Sequence, residues 1–277
     1  MDASPPPWVE AHEAACRSGA HGYTDPETGY HVFTRLGHLA RGRCCGAGCR
    51  HCPFDHEAVT ADRRAKTIQQ PAWLHRARQT APETRDVLFW SGGKDSFLAL
   101  RAWQREHERA RVALLTTFDA RTRVIAHQEV AIEQVVAQAR ALELDLVGVP
   151  LHAGAPYEQR VAAGLRVAAG SGTVQRLVFG DLHLQHIREW RDRTLDAFGA
   201  ELCYPLWGVS WRDLLDDLET SGIPCTVSAV PEPIDGIAVG QAFDRALVER
   251  ALSAGWDPFG ENGEFHTLAR VWEGTGS

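Results

Sequence analysis

Short apolar runs alternate with amphipathic helical patterns from Arg85 onward. The apolar runs are residues 87–90, 112–118, 144–151, 176–180, 202–207 and 225–230. The helical patterns lie near residues 95–109, 128–143, 157–169, 184–198 and 239–253. Apolar runs at this spacing are typical of strands that helices cover on both faces. The pattern therefore predicts an α/β fold with a doubly wound, parallel, Rossmann-like sheet, which the fifth and sixth runs continue.

The sequence before residue 85 is rich in turns and irregular. Residues 21–34 predict a hairpin, because Tyr30, Val32 and Thr34 alternate with other residues after an Asp-Pro-Glu-Thr-Gly turn. A proline-bounded connector then precedes the alternating region. We therefore predict a small cysteine-rich module at 1–70, a linker at 71–85, the strand–helix domain at 86–208 and a C-terminal subdomain at 209–277.

Residues 91–96, with the sequence Ser-Gly-Gly-Lys-Asp-Ser, follow the first apolar run directly and open a helix; they are called the phosphate loop below. Two glycines allow a tight turn and a close backbone approach to a ligand. The helix N-terminus offers unpaired N–H groups and a partial positive charge, to which Lys94 adds a compact cation. Ser91 and Ser96 can bond phosphate oxygens, and Asp95 can cap the helix or hold Mg²⁺. The segment is thus a candidate polyphosphate cradle.

The spacing of this segment is neither that of a Walker A loop nor that of a dinucleotide-binding loop. It resembles the Ser-Gly-Gly-x-Asp-Ser signature of the N-type ATP pyrophosphatases, the PP-loop enzymes. The resemblance implies that residues 86–208 bind ATP with Mg²⁺. It also implies cleavage between the α and β phosphates, which leaves an adenylated substrate and pyrophosphate.

Further segments resemble the diphthine–ammonia ligase family, and more closely its bacterial relatives. These segments are Thr116-Thr117-Phe118, His127-Gln128, Ala137-Gln138-Ala139, Val149-Pro150-Leu151, Tyr157-Glu158, Phe179-Gly180-Asp181, Arg188-x-Trp190-Arg191 and Pro205-Leu206-Trp207-Gly208. The likeness covers about residues 86–270. It implies that Thr117, Phe118, Gly180 and Asp181 bind ATP together with Ser91, Gly92, Gly93, Lys94, Asp95 and Ser96, and that Arg188 binds the substrate.

The most specific of the matching segments is Gly-Glu-Asn-Gly-Glu-Phe-His-Thr at 260–267, which places three titratable side chains within six residues. The family likeness implies that ATP adenylates a carboxylate and that ammonia displaces AMP to give an amide. The implied catalytic residues are Lys94, Asp95, Glu264 and His266. The implied substrate-binding residues of the C-terminal subdomain are Glu261, Asn262, Gly263, Glu264, Phe265 and Thr267. His266 can move a proton near neutral pH, with a structural role as the alternative.

Four of the seven cysteines, Cys44, Cys45, Cys49 and Cys52, fall within nine residues. This density favours metal binding or thiol chemistry over a disulfide framework. Residues 23–54 resemble a small uncharacterised domain. Cys49-x2-Cys52 suits a tetrahedral Zn²⁺ that Cys44 or Cys45 and a histidine complete. An Fe–S cluster and redox-active thiols remain alternatives.

Two enzyme functions and one non-enzymatic function fit these features. An ATP-dependent, amide-forming ligase would act on a small-molecule or protein carboxylate and, since no glutaminase-like segment is visible, on free ammonia. The alternative is a sulfur-transfer enzyme that acts on tRNA with a cysteine-bound Fe–S cluster, which the basic stretch 35–85 favours. Against it, residues 86–277 carry a net charge of −9. The third candidate is a non-catalytic nucleotide sensor.

Composition excludes several other classes. The chain is 44% hydrophobic and 23% charged, which argues against disordered, collagen-like and coiled-coil proteins. No secretory signal and no long apolar span is visible, so we expect a cytoplasmic protein without a membrane partner. The oligomeric state stays open.

Overall fold

The computed structural model describes residues 7–26, 29–47, 49–54, 57–60, 69–77, 83–120, 122–126, 128–152, 155–232 and 234–274. The chain divides into two compact units. The first comprises Met1–Gln70 with Leu151–Pro156, and the second comprises Pro71–Pro150 with Tyr157–Ser277. Within the described ranges, no helix is both long enough and apolar enough to cross a membrane.

The first unit contains a helix–hairpin–helix arrangement. Its elements are α1 (Pro7–Arg17), β1 (Gly22–Thr24), β2 (His31–Phe33) and α2 (Arg35–Arg41). β1 and β2 pair antiparallel, with Tyr23 opposite Val32, which confirms the predicted hairpin. Thr34 caps α2 by accepting a hydrogen bond from the Gly37 N–H, and Gly42 ends the helix in the left-handed conformation at φ 74°.

The second unit is built on a six-stranded sheet with the spatial order β10-β9-β4-β5-β8-β3. The strands of this unit are β3 (Ala72–His75), β4 (Thr84–Phe89), β5 (Val112–Asp119), β6 (Val124–Ile125), β7 (Val130–Ala131), β8 (Asp145–Leu151), β9 (Thr173–Val178), β10 (Glu201–Cys203), β11 (Cys225–Ala229) and β12 (His266–Ala269). Its helices are α3 (Lys94–Glu106), α4 (Ile132–Ala141), α5 (Tyr157–Ala169), α6 (Gln185–Leu195), α7 (Trp211–Ser221) and α8 (Arg245–Ser253). The alternation of strands and helices confirms the predicted α/β class.

The chain reverses its direction across the sheet at β4. β4 pairs in parallel with β5 on one side and with β9 on the other. The chain runs from β4 through β5 to β8 and then returns to β9 and β10 beyond β4. The phosphate loop follows β4 and therefore lies at the carboxyl edge where the strand order reverses, the usual ligand position in such sheets.

The core of this unit lies on both faces of the central strands. Leu88 on β4, Leu114 on β5, Leu146 on β8 and Leu177 on β9 are completely buried. β4, β5 and β8 each contain four or more successive buried residues, whereas β9 alternates in burial until its last two residues. Successive burial is expected where helices cover both faces of a strand.

The sixth apolar run does not continue the parallel sheet. β11 instead pairs antiparallel with β12 in a separate two-stranded sheet, with Cys225 opposite Ala269. The burial of β11 alternates between buried and half-buried residues, which is the pattern of a strand with one covered face. The prediction of a sixth parallel strand from this run is therefore wrong.

Two other segments differ from the sequence prediction in extent. β10 ends at Cys203 because Pro205 lacks the N–H that a further ladder bond requires. Residues 72–75, within the segment predicted as a linker, form β3 and pair antiparallel with β8. Trp73 and Leu74 make this segment strand-forming, and Gly148 of β8 leaves room for Leu74, whose Cδ1 lies only 2.4 Å from an ideal Cβ position there.

Candidate active site

The phosphate loop joins β4 to α3 through two glycines. Gly92 adopts φ +85°, a left-handed conformation that favours glycine. Gly93 is the N-cap residue of α3 and makes no side-chain capping bond. The loop hydroxyls bond within the loop: Ser91 Oγ accepts from the Gly93 N–H at 3.3 Å, and Ser96 Oγ donates to the Gly93 carbonyl at 2.9 Å. These hydroxyl bonds therefore help to hold the loop in shape.

The Gln138 side chain on α4 holds the phosphate loop by hydrogen bonds. Its Nε2 donates to the carbonyl oxygens of Gly92, at 2.8 Å, and of Ala269, at 2.7 Å. Its Oε1 accepts from Trp90 Nε1 at 2.8 Å. The Gln138 side chain is completely buried, so these bonds form in a water-free environment. One amide therefore ties the loop to α4 and to the C-terminal strand.

Strand β12 supplies further bonds to the phosphate loop. Thr267 Oγ1 accepts from the Lys94 N–H at 3.1 Å, and the Ala269 N–H donates to the Gly92 carbonyl at 2.9 Å. An ideal Cβ at Gly93 would lie 3.0 Å from the Thr267 carbonyl oxygen. Close approach of β12 therefore requires glycine at position 93.

Lys94 is buried among aromatic rings. Only 2% of the residue is exposed, and its Nζ lies 5.3, 5.1 and 5.8 Å from the ring centres of Phe243, Phe259 and Phe265. Nζ forms an ion pair with Asp95 Oδ2 at 2.9 Å. A buried cation held by aromatic rings and the Asp95 carboxylate is a strong local source of positive charge.

Asp95 pairs with Lys94 and does not cap α3. Its Oδ1 is buried and has no hydrogen-bond partner. Loss of solvation raises the pKa of Asp95, and nearby Asp257 acts in the same direction, whereas Lys94 lowers it. An orphaned buried carboxylate oxygen beside a phosphate loop fits a cation bound together with a nucleotide.

The segment from Asp257 to Phe265, called the acidic loop below, lies against Lys94. Asp257 Oδ1 accepts from the Phe259 and Glu261 N–H groups at 2.8 and 3.2 Å. Glu264 is engaged within the loop, since it accepts from the N–H groups of Asp257 and Asn262, each at 3.1 Å. Glu264, a predicted catalytic residue, therefore holds the loop in shape.

Glu261 is the acidic-loop side chain that differs most from an ordinary carboxyl group. Burial raises its pKa to about 8, and the charges of Asp95 and Asp257 add to this, while Lys94 opposes it. Glu261 is thus poised to exchange a proton near neutral pH.

Replacing Glu261 with glutamine is expected to flatten the pH dependence of stability. Because the folded-state pKa lies above the ordinary 4.5, the stabilising contribution is complete below about pH 4.5 and is lost as the pH rises through 8. The wild-type free energy of unfolding should fall on the order of 3 kcal/mol from pH 5 to 9. Urea unfolding across this pH range measures the free energy of unfolding. A control variant at an exposed position, Glu249→Gln, should retain the wild-type dependence of this free energy on pH. An unchanged pH dependence in Glu261→Gln would contradict the raised pKa assigned to Glu261.

The turn after β9 packs against the phosphate loop at Asp95. An ideal Cβ at Gly180 would lie 2.8 Å from the Asp95 backbone, so only glycine fits this contact. Asp181 accepts from both Arg191 Nε and Nη2, at 2.6 and 3.1 Å. Arg188, one turn earlier on α6, lies over Tyr204 and Trp207, 4.8 and 4.7 Å from their ring centres.

The remaining predicted site residues lie on β5, on β12 and in the acidic loop. Thr117 and Phe118 lie near the end of β5, and Phe118 is completely buried in the core. His266 is half-buried at the start of β12, opposite Ala229. Gly263 has φ +89° and opens onto free space. The segment residue His127 lies outside the described residues.

The prediction of site residues missed Gln138, Asp257 and Gln128. Gln128 Oε1 is buried without a hydrogen-bond partner and lies 3.2 Å from an ideal Cβ at Gly93. Thr116 Oγ1, on β5, is also buried and unpartnered. Gln128 and Gln138 belong to segments that carried the family likeness, and that likeness was the available signal for them. Nothing local in the sequence distinguishes Asp257.

In the first unit, the four clustered cysteines form two pairs rather than one tetrahedral set. Cys45 Sγ lies 3.3 Å from Cys49 Sγ, and Cys52 Sγ lies 3.9 Å from Cys44 Sγ. Across the described ranges, no group of three or more His, Cys, Asp or Glu side chains is arranged to hold a metal ion. The metal site expected at these cysteines thus gains no support from their arrangement.

Comparison with known proteins agrees with this geometry. Residues 84–202 match the family model described as the diphthamide synthase N-terminal domain. The phosphate loop lies within the matched residues, and this domain is PP-loop ATPase-like, of an ATP-using class. Residues 11–58 match a family of unknown function, DUF5522.

A solved structure is also similar to this chain. It is described as a "predicted subunit of tRNA methyltransferase" from Methanocaldococcus jannaschii. The match has 17% sequence identity and a TM-score of 0.33, and it covers 66% of this chain and 96% of the other.

Proposed function

We propose that the protein is an ATP-dependent ligase that adenylates a carboxylate and amidates it with free ammonia. The observation that carries the proposal is the grouping of Lys94, Asp95 and Glu261, whose charges act on one another. The buried Lys94 cation pairs with Asp95, and both influence Glu261, whose pKa of about 8 suits proton exchange with ammonium. The acceptor is a small-molecule or protein carboxylate.

The first step transfers AMP to the substrate carboxylate and releases pyrophosphate. The phosphate loop binds the β and γ phosphates through its N–H groups, and Lys94 stabilises the negative charge that develops on the leaving pyrophosphate. Mg²⁺ accompanying ATP would be held by Asp95, whose Oδ1 has no partner, and would neutralise phosphate charge. A nucleotide-bound Mg²⁺ needs only one or two protein carboxylates.

The second step breaks the acyl-phosphate bond of the adenylate. Ammonium is attracted by Asp95, Asp257 and Glu261, and ionised Glu261 takes a proton from it to leave neutral ammonia. The ammonia nitrogen then attacks the acyl carbon, AMP departs and an amide remains. The proton lost by the attacking nitrogen passes to solvent or to a neighbouring carboxylate.

The sulfur-transfer alternative lacks a supporting observation in the site. That reaction needs a donor set for a metal cluster at the cysteines, whereas their sulfurs are arranged in pairs. Zn²⁺ at the same residues is likewise an expectation from spacing alone.

Product analysis tests the proposal. The full chain is incubated with ATP, MgCl₂, ammonium chloride and a panel of mono- and dicarboxylates, and nucleotides are separated by anion exchange. AMP and pyrophosphate in equal amounts, with amide formed from one carboxylate, is the expected result. ADP with phosphate would overturn the adenylation step, and AMP without incorporation of ¹⁵N from labelled ammonium would overturn the amidation step.

A further inference from the structure

The described residues hold a second cluster of reactive groups in the first unit, apart from the ATP chemistry. None of the seven cysteines, all of which lie in the described ranges, forms a disulfide bond. Cys45 and Cys49 place their sulfur atoms 3.3 Å apart. A disulfide bond is about 2.0 Å long, so closure requires the two sulfurs to approach by only about 1.3 Å.

The two thiols of this pair differ in access. Cys45 is exposed, whereas Cys49 is half-buried. A cavity of about 790 Å³ opens beside Cys45, lined by Arg41, Arg43, Cys44, Cys45, Glu57 and Ala58. The lining contains two guanidinium groups and one carboxylate, which favours a ligand that carries negative charge. Cys49 is not among the lining residues, and of the two lining cysteines Cys45 is exposed whereas Cys44 is buried.

The backbone holds the sulfurs in this arrangement. Gly46 has φ +72°, and an ideal Cβ there would lie 3.0 Å from the Ala58 carbonyl oxygen. The backbone at Gly46, next to Cys45, is therefore packed against the segment at residue 58. The second pair differs, because Cys44 is buried and its sulfur lies 3.9 Å from that of Cys52.

We propose that Cys45 and Cys49 form a thiol–disulfide exchange site for small anionic disulfides. The Cys45 thiolate attacks one sulfur of the incoming disulfide, whose S–S bond breaks and releases one thiolate, which takes up a proton. The Cys49 thiolate then attacks Cys45 Sγ and displaces the second thiolate, which is also protonated. The two protein thiols lose two electrons and two protons, and the small disulfide becomes two thiols.

Glutathione disulfide is the probe that tests this site. The full chain is reduced, desalted without oxygen, incubated with the probe, quenched with acid, alkylated and mapped by mass spectrometry. We expect a Cys45–Cys49 disulfide that dithiothreitol reverses, formed at least about tenfold faster than modification of Cys203. In Cys49→Ser the mixed disulfide should accumulate on Cys45, and in Cys45→Ser the thiol of Cys49 should stay reduced.

Cys203→Ser is the matched control and should behave as the wild type. Circular dichroism establishes that each variant is folded. Three results would overturn the proposal: no disulfide at a large excess of probe, initial linkage of Cys44 to Cys52, or stoichiometric Zn²⁺ or iron that protects all four thiols from alkylation. None of these results bears on the nucleotide products, so the two proposals are tested separately.

Discussion

Replacing Lys94 with methionine is expected to lower the rate of AMP and pyrophosphate formation roughly 10³-fold. The lysine Nζ is the buried cation at the phosphate loop, and its loss removes the charge that stabilises the leaving pyrophosphate. Methionine keeps an apolar stem against Phe243, Phe259 and Phe265. Turnover is measured by the release of AMP under saturating ATP.

The variant must be distinguished from one that fails to fold, because losing Lys94 leaves the Asp95 carboxylate without its partner. Arg101→Met is the matched control. It removes a cation from the same helix, where Arg101 pairs with Asp217 at 2.8 Å. This control should turn over ATP at the wild-type rate. A folded Lys94→Met protein within about threefold of wild-type turnover would contradict the role assigned to Lys94.

Replacing Gln138 with methionine is expected to lower the free energy of unfolding by about 3 kcal/mol. The change removes three hydrogen bonds of a completely buried side chain and leaves Trp90 Nε1–H and the Ala269 carbonyl without that partner. For a chain of this size the Tm should fall by about 10 °C. Differential scanning calorimetry measures it.

Gln138→Glu separates hydrogen bonding from packing. Its carboxylate would face the two carbonyl oxygens that now accept from Nε2, so we expect destabilisation at least as large. Gln134→Met, on the exposed face of the same helix, is the control and should cost less than about 1 kcal/mol. ATP should raise the Tm of the Gln134 variant more than that of either Gln138 variant. Equal Tm values for Gln134→Met and Gln138→Met would contradict the stabilising role assigned to the Gln138 hydrogen bonds.

The features that could be predicted from the sequence are those that depend on local pattern. Central strands covered on both faces are buried over several successive residues, so β4, β5 and β8 are visible as apolar runs. The run that predicts β9 overlaps only the end of that strand. The phosphate loop is visible because two glycines and a lysine stand between a strand and a helix. The sequence does not show that β11 is covered on one face only, so the pattern predicts the wrong sheet for this strand.

The remainder of the site depends on contacts between distant residues. Gln138 acts through Gly92 and Ala269, and nothing in the neighbouring sequence indicates these partners. Glu264 was predicted to be catalytic from its position in the motif, but its hydrogen bonds lie within its own loop. Spacing alone likewise does not show that the four cysteine sulfurs are arranged in pairs.

The dependence of the phosphate loop on β12 has a consequence for biosynthesis. The bond from the Lys94 N–H to Thr267 joins residues 173 positions apart. A ribosome that adds 5–20 residues per second needs roughly 10–35 s to make that interval. During this time the nascent chain can pair the parallel strands, but the phosphate loop still lacks its hydrogen bonds to β12. Cellular ATP can therefore favour the native state only in the last stage of folding, after the C-terminal strand has left the exit tunnel.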